Sequence, residues 1–197
     1  MDIDLSSVEP TNRYKLLSSI IIPRPIAWIT TINKEGHVNA APYSYFNIMG
    51  TDPPVVAVGP QYRYDFREGL KDTPRNIREN GTFVINIVNE ALAQKMDQTS
   101  GHYPCSVNEL EEVDLDTAES VEIEAPRILQ SPVSIECREH TTLFIGNTRV
   151  ILGIALHLHI NDDLIDQEHF YVDMEALKAV GRMGGGRYIT TRDMFDF

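Results

Sequence analysis

The sequence is short of basic residues, of cysteine and of long apolar runs. Its 197 residues include 17 Lys and Arg against 29 Asp and Glu, which gives a formal net charge of −12. Such an acidic chain repels phosphate backbones on average, so we expect no nucleic-acid partner. No apolar run approaches the roughly 20 residues that span a bilayer, and residues 1–10 lack the parts of a secretory signal. These absences predict a cytoplasmic protein with no membrane segment.

The two cysteines, Cys105 and Cys137, are expected to be free thiols. Disulfides persist mainly in oxidising compartments, and no secretory signal points to one. A composition of 42% hydrophobic and 23% charged residues is typical of a folded globular protein, and argues against disorder, collagen and coiled coil. The length predicts one domain over residues 1–197.

Most of the secondary-structure signal is for strands. Segments rich in β-branched or apolar residues lie at 26–32, 55–58, 82–88, 133–145 and 150–160. Residues 37–41 can return after a turn to pair with the first of these, in a hairpin that Pro42 closes. Many short strands with few helices predict an antiparallel barrel and not a βαβ sheet.

Helical signals are short and lie between the strands. Thr73 as N-cap and Gly81 as C-terminal stop predict a helix over 74–80, and a second helix is predicted over 90–96. Residues 109–124 hold eight acids and no base. We interpret this run as part of an acidic surface excursion near 105–125, exposed to solvent.

The start of the 74–80 helix is a candidate anion site. Unpaired N–H groups and the helix dipole stabilise an anion there, and Lys71 and the Thr73 hydroxyl would face the same place. Five bases and three acids lie between residues 63 and 78, a local net charge of +2 in an acidic chain. The bases are Arg63, Arg67, Lys71, Arg75 and Arg78, and the acids are Asp65, Glu68 and Asp72. The alternative is an N-capped surface helix with solvated charges.

Residues 39–47 form a second candidate. Their small side chains let the backbone approach a flat ligand, Asn39 and Ser44 can hydrogen-bond, and Pro42 donates nothing to a strand ladder. This segment could border a heteroaromatic ring. The alternative is a strand end followed by a turn.

Taken in order, these segments resemble the flavin reductase-like, FMN-binding split-barrel family. The resemblance runs from about Pro23 to Phe195. Its motifs are Pro23–Thr31, Gly36–Asn47, Asp52–Pro54, Lys71–Ile77, Ser131–Cys137, His159–Asp162, and Gly181–Gly185 with Tyr188. Where relatives often have Gly-Glu in the late strand, this chain has Gly153-Ile154.

The resemblance implies a six-stranded antiparallel split β-barrel, a homodimer, and FMN bound near the dimer interface. By position, it places Thr30 and Thr31 beside the flavin at a strand end. Along the ring and ribityl chain it places Asn39, Ala41, Pro42, Ser44 and Asn47. At the phosphate it places Lys71, Thr73 and Asn76. It assigns no catalytic side chain.

The function that the resemblance implies is electron transfer from NAD(P)H through bound FMN to an acceptor. The acceptor could be free flavin, a ferric chelate or a partner monooxygenase. The cofactor carries this chemistry, so a missing catalytic constellation does not exclude it. Two alternatives are a flavin electron carrier reduced by a protein donor and a non-enzymatic split-barrel binding protein. His157 and His159 share one strand face, but no third ligand is evident, so we predict no metal site.

Overall fold

Antiparallel strands dominate the computed structural model, which describes residues 1–61 and 71–196. In chain order the strands are β1 (Ala27–Ile32), β2 (Val38–Tyr43), β3 (Phe46–Thr51), β4 (Pro54–Val58), β5 (Thr82–Ile87), β6 (Thr117–Ala118), β7 (Arg127–Ile128), β8 (Val133–Ile145), β9 (Thr148–Ile160), β10 (Ile165–Asp166), β11 (Tyr171–Val172), β12 (Val180–Arg182) and β13 (Tyr188–Thr190). The α-helices are α1 (Pro10–Ile20), α2 (Asp72–Asn80), α3 (Ala93–Gln98), α4 (Glu109–Glu112) and α5 (Met174–Leu177). Short 3₁₀ turns cover Leu5–Ser7 and Asp162–Leu164.

The prediction of a mainly β fold with short helices is confirmed. Within the described ranges, no helix combines the length and apolar character that crossing a bilayer requires.

The main sheet has the strand order β2-β1-β5-β8-β9-β4-β3, and the pairings in it are antiparallel. It contains seven strands among the described residues, where the resemblance implied six. The additional strand, β3, forms because the chain reverses after Tyr43 and pairs back on β4, with Phe46 opposite Val58. The sequence predicted no strand here, but either a segment that borders a flat ligand or a strand end followed by a turn.

The two edges of this sheet are consecutive in the chain. β2 and β3 are its outermost strands, and only Ser44 and Tyr45 separate them. The edges therefore meet at this turn without pairing as neighbours. Pro42 lies inside β2 and does not end it as predicted, because an edge strand tolerates a residue that has no N–H.

Alternate residues of β1 point into two separate cores. Trp28 packs in one core, where its ring N–H donates to the Thr99 hydroxyl at 3.0 Å. Ile29 packs in the other, with Phe83 and with Ile77 of α2. This second core is tight at Gly153, where an added Cβ would lie 2.6 Å from the Phe83 ring. Contacts of Ile77 hold α2 against the sheet and so fix where the helix begins.

Helix α2 begins earlier than predicted. It covers Asp72–Asn80 with Lys71 as N-cap, and Gly81 ends it in a left-handed conformation. Thr73 was the predicted N-cap, but its hydroxyl donates to the Asn39 side chain and makes no capping bond. Helix α3 begins at Ala93 because the predicted first residues, 90–92, form a turn.

The acidic surface excursion is only partly exposed. Seven of its eight acids are exposed, but Glu109 is 6% exposed, and Leu110, Val113 and Leu115 join the first core. The prediction overlooked that apolar residues alternate with the acids in this run. The 99–132 segment, between α3 and β8, therefore packs onto the sheet with these apolar residues and Glu109 inward and the other seven acids outward.

Candidate functional site

A cleft lies along β2 where the first residues of α2 approach the 99–132 segment. Its walls are residues 39 and 41–43 of β2, residues 71–73 and 75 at the start of α2, residues 99–105, and Glu109. Its volume is about 280 Å³. A second pocket of about 170 Å³ adjoins it and shares Pro42, Tyr43 and Ser100. The two pockets share these walls, and their volumes taken together fall within the range of roughly 300 to 1,000 Å³ that small-molecule sites occupy.

One end of the cleft is built for an anion. Lys71 and Arg75 line it, and Arg75 forms an ion pair with Asp72. Among the described residues, the backbone N–H groups of Asp72 and Thr73 have no hydrogen-bond acceptor. Free N–H groups at a helix start carry partial positive charge and attract phosphate. Lys71 also lies over the Tyr43 ring, with Nζ 5.6 Å from its centroid.

A buried hydrogen-bond network lies directly behind this end. The Thr73 hydroxyl donates to Asn39 Oδ1 at 2.8 Å, and the Thr31 hydroxyl donates to the same oxygen at 3.4 Å. Asn76 Nδ2 in turn donates to Thr31 Oγ1 at 3.0 Å. Asn76 Oδ1 is buried and has no partner within the described residues. The network joins α2 to β1 and β2.

Glu109 completes the network from the opposite wall. Its carboxylate accepts from Asn39 Nδ2 at 2.6 Å and from the Ala40 N–H at 2.9 Å. Burial raises the pKa of Glu109 above its ordinary value, and the nearby Asp72 charge adds to this, although the hydrogen bonds oppose it. Glu109 also accepts the hydrogen bond of the Ala40 N–H, which lies on the outer edge of β2 and has no neighbouring strand to bind.

The outer edge of β2, which pairs with no other strand, offers the cleft a hydrogen-bond acceptor and no unused donor. The Ala40 N–H points away from β1, since it donates to Glu109. Both main-chain groups of a residue in an antiparallel strand face the same side, and the side alternates, so Pro42 also faces outward. Ala40 is fully buried and its N–H is taken by Glu109, so this edge offers the cleft the Pro42 carbonyl and, because Pro42 has no N–H, no unused donor. Such an edge fits the N–H groups of a flat heterocycle.

The residues present fit a flavin with a phosphate-bearing tail. The cations and the free N–H groups at the start of α2 suit a phosphate, and the Pro42 carbonyl suits a ring that donates hydrogen bonds.

The structure brings together most of the residues predicted for this site. Lining the cleft are Asn39, Ala41, Pro42, Lys71 and Thr73, and Ser44 lines the adjoining pocket. Thr31 and Asn76 lie buried behind them. Of the predicted charge reversal, Arg63, Asp65, Arg67 and Glu68 lie outside the described residues.

Two predicted residues lie elsewhere. The Thr30 hydroxyl, on the opposite face of β1 from Thr31, donates to the Pro126 carbonyl at 2.5 Å and accepts from Asn86. Asn47 is exposed on β3, where its Oδ1 accepts from the Ile48 N–H at 2.8 Å.

Sequence reasoning missed Glu109 and residues 99–105 as part of the cleft. A local signal for α4 was present, because Asn108 is an N-cap residue whose Oδ1 accepts from the Leu110 N–H at 3.1 Å. A helix starting at Glu109 and followed by buried Leu110 would have placed this acid near the core. Nothing local indicated that it reaches β2.

A second buried carboxylate lies on β8, the middle strand of the sheet. Glu136 of β8 is fully buried and accepts from the N–H groups of Val121 and Glu122, each at 2.7 Å, and from His159 Nε2 at 2.6 Å. Burial by itself would raise the pKa of Glu136, but these hydrogen bonds outweigh it and lower the pKa below its ordinary value.

The rings of His157 and His159 lie 4.8 Å apart. Across residues 1–61 and 71–196, no three His, Cys, Asp or Glu side chains are grouped to hold a metal ion.

Comparison with known proteins gives a consistent result. Residues 18–176 match the model of the flavin reductase like domain. The fold is similar to nitrilotriacetate monooxygenase component B from Bacillus cereus, with 30% identity, a TM-score of 0.94, and coverage of 100% of this chain and 98% of that one. It is also similar to the 2-nitrobenzoate 2-nitroreductase NbaA from Pseudomonas fluorescens, with 32% identity, a TM-score of 0.90, and coverage of 100% and 95%. A Shewanella frigidimarina protein with a split barrel domain shares the fold at 20% identity, with a TM-score of 0.85 and coverage of 100% and 98%.

Proposed function

The chain belongs to the flavin reductase like domain family, and we propose that it is an FMN-dependent oxidoreductase using NAD(P)H. Electrons pass from the reduced nicotinamide to bound flavin and then to an acceptor. Membership of the family supports a flavin-linked redox function. The donor, the choice of FMN and the acceptor are the proposed part.

The observation that carries the choice of FMN is the two-ended cleft. Lys71 and the free N–H groups of Asp72 and Thr73 stand at one end, and Ala41 and Pro42 of the β2 edge, with the Pro42 carbonyl outward, line the cleft beyond them. A phosphate at the first end and a flavin ring along the edge use both sets of groups. The bound flavin would supply the redox chemistry, and the chain would supply binding and orientation.

Main-chain groups carry most of this binding. Thr73 contributes through its N–H, because its hydroxyl proton is already donated to Asn39. Thr31 and Asn76 support α2 from behind. Ser44 borders the adjoining pocket, where Arg24 Nε donates to its hydroxyl at 3.3 Å. Such a transfer requires that the flavin ring be held within reach of the reduced nicotinamide. It does not require a side-chain acid or nucleophile.

Anaerobic reduction tests the proposed activity. The purified protein, loaded with FMN, is mixed with NADH or NADPH while its visible flavin absorption is followed. Rapid bleaching by either nucleotide is expected. Slow reduction by both, with fast reduction by a ferredoxin-like protein, would identify an electron carrier in its place. A colourless protein that ignores added FMN would contradict flavin binding altogether.

We also propose that the protein is a homodimer. The tip of the β8–β9 hairpin leaves Leu143, Phe144 and Ile145 48%, 63% and 62% exposed. Successive side chains of a strand point to opposite faces, so the tip exposes apolar side chains on both faces, which favours an interaction surface. Sedimentation of the wild type as a dimer and of Phe144→Glu as a monomer would support this, whereas a monomeric wild type would exclude it.

The acceptor is proposed to be free flavin, a ferric chelate or a partner monooxygenase. The Bacillus cereus protein, named as a monooxygenase component, motivates the last of these. Steady-state assays with each acceptor, at equal NADH, would rank them by turnover.

A further inference from the structure

Glu109 is a buried acid that the proposed electron transfer does not use. It stands on the wall opposite α2, and both of its carboxylate oxygens accept hydrogen bonds inside the cleft. An ionised carboxylate can only accept. The group facing it must therefore donate, and this determines the orientation of the next side chain.

That side chain is the amide of Asn39. Its Nδ2 faces Glu109 at 2.6 Å, so its Oδ1 must point the other way, toward Thr73 and Thr31. The reverse orientation would place two acceptor oxygens against each other beside Glu109. Asn39 is thus held with its acceptor toward α2.

The acceptor of Asn39 in turn takes the single proton of the Thr73 hydroxyl, at 2.8 Å. A hydroxyl has one proton and two lone pairs. With its proton directed into the network, Thr73 presents only lone pairs to the cleft. An anionic group bound there gains no hydrogen bond from this side chain.

We propose that Glu109 is a positioning residue that sets the hydrogen-bond polarity of the cleft. Through Asn39 it directs the Thr73 proton away from the ligand. This limits how strongly the cleft favours a flavin that carries a phosphate over one that does not. The inference rests on the proposed flavin site, and it deepens that proposal by naming a residue that determines ligand preference.

The test compares FMN with riboflavin, which share the ring and ribityl chain and differ by the phosphate. In Glu109→Gln, the side-chain oxygen accepts from Ala40, and the new NH₂ group faces Asn39. Asn39 then reverses, donates to Thr73, and frees the Thr73 proton for the ligand. The ratio of FMN to riboflavin affinity, measured by flavin fluorescence, is expected to rise about tenfold, the value of one hydrogen bond to a charged group.

Two controls separate polarity from charge. Glu112→Gln removes an exposed acid from the same helix and should leave the ratio unchanged. Thr73→Val should cancel the gain, so that the ratio in the double variant Glu109→Gln/Thr73→Val equals the ratio in Thr73→Val alone. A gain that persists with Val at position 73 would mean that only the lost charge matters, and an unchanged ratio in Glu109→Gln would equally overturn the proposal.

NMR of the ligand-free wild type tests the same network without a variant. Contacts from the Asn39 side-chain amide protons to the Glu109 methylenes are expected, with none to the Thr73 methyl. The opposite pattern would overturn the inference. If neither flavin binds, the proposed function fails, and this NMR result still decides the role of Glu109.

Discussion

Two buried glutamates secure the 99–132 segment, and they do so in opposite settings. Glu109 belongs to the segment and reaches out to β2, at the cleft. Glu136 belongs to the sheet and reaches up to the segment, where it holds the N–H groups of Val121 and Glu122. The pKa of Glu109 is raised, mainly by burial, whereas hydrogen bonds from His159 and two backbone amides outweigh burial and lower the pKa of Glu136.

The difference lies in what each carboxylate has as partners. Glu136 has a histidine and two amides, which favour its ionised form. Glu109 has two neutral donors on other residues, and Asp72 nearby disfavours its charge. Glu136 is therefore an anchor that stabilises the fold, whereas the cleft carries a carboxylate whose charge is costly. A costly group at a ligand site is typical of function and not of stability.

The largest expected effect concerns the anchor. Glu136→Leu leaves two backbone donors and His159 without a buried acceptor, so we expect it to lower the free energy of unfolding by about 3 to 5 kcal/mol. Urea titration measures this loss. Glu124→Leu, at an exposed acid of the same segment, is the control and should change stability little. Equal effects of the two substitutions would remove the distinction between anchor and surface.

Lys71→Ala tests the cleft side of the comparison. Losing this ammonium group should weaken FMN binding by about 1 to 3 kcal/mol, because a hydrogen-bonding partner of a charged group is removed. Riboflavin binding and urea stability should change little. Arg187→Ala, at an exposed base far along the chain, is a matched control. Unchanged FMN affinity in Lys71→Ala would place the phosphate elsewhere.

A smaller effect separates the two acids by pH. The lowered pKa of Glu136 contributes stability that is present above its unfolded-state pKa and is lost as pH falls through the folded value. The raised pKa of Glu109 contributes stability that is present below its unfolded-state pKa and is lost as pH rises through the folded value. The wild type should therefore lose its advantage over Glu136→Gln on acidification, and over Glu109→Gln on going toward neutral pH.

Urea titrations of the three proteins at several pH values between about 3 and 8 measure these slopes. Lys71, Asp72, Arg75 and His102 also line the cleft, and of these the charge of Asp72 adds to the raised pKa of Glu109. Parallel curves for the two variants would contradict the contrast between the glutamates.

Much of the fold was predictable because its signals are local. The turn at Asn33–Gly36 and the β-branched run before it predicted the first hairpin, and Gly81 marked the end of α2. The alternation over 150–160 predicted β9. Strand β3 was not predicted, because Ile48 and Met49 are exposed on it and leave no alternating burial pattern.

The candidate site was predictable to the extent that it lies on consecutive residues. Lys71, Asn39 and Pro42 could be placed because their neighbours form recognisable motifs. Glu109 could not be placed, because its partner Asn39 is 70 residues away and an acid within an acidic run indicates a solvated surface. The proton of Thr73 depends on this distant contact, so its direction was also beyond a local pattern.

The turn at Ser44 and Tyr45 has a consequence for engineering. This two-residue link joins the two edge strands of the sheet, β2 and β3, which do not pair with each other. It therefore holds the two edges of the sheet close together. A circular permutant with its new termini at this turn would keep every strand pairing. It would also allow the two edges of the sheet to move apart. A longer turn would increase the distance between the two edges. These two residues are therefore the place to insert residues when the opening must accept a bulkier ligand.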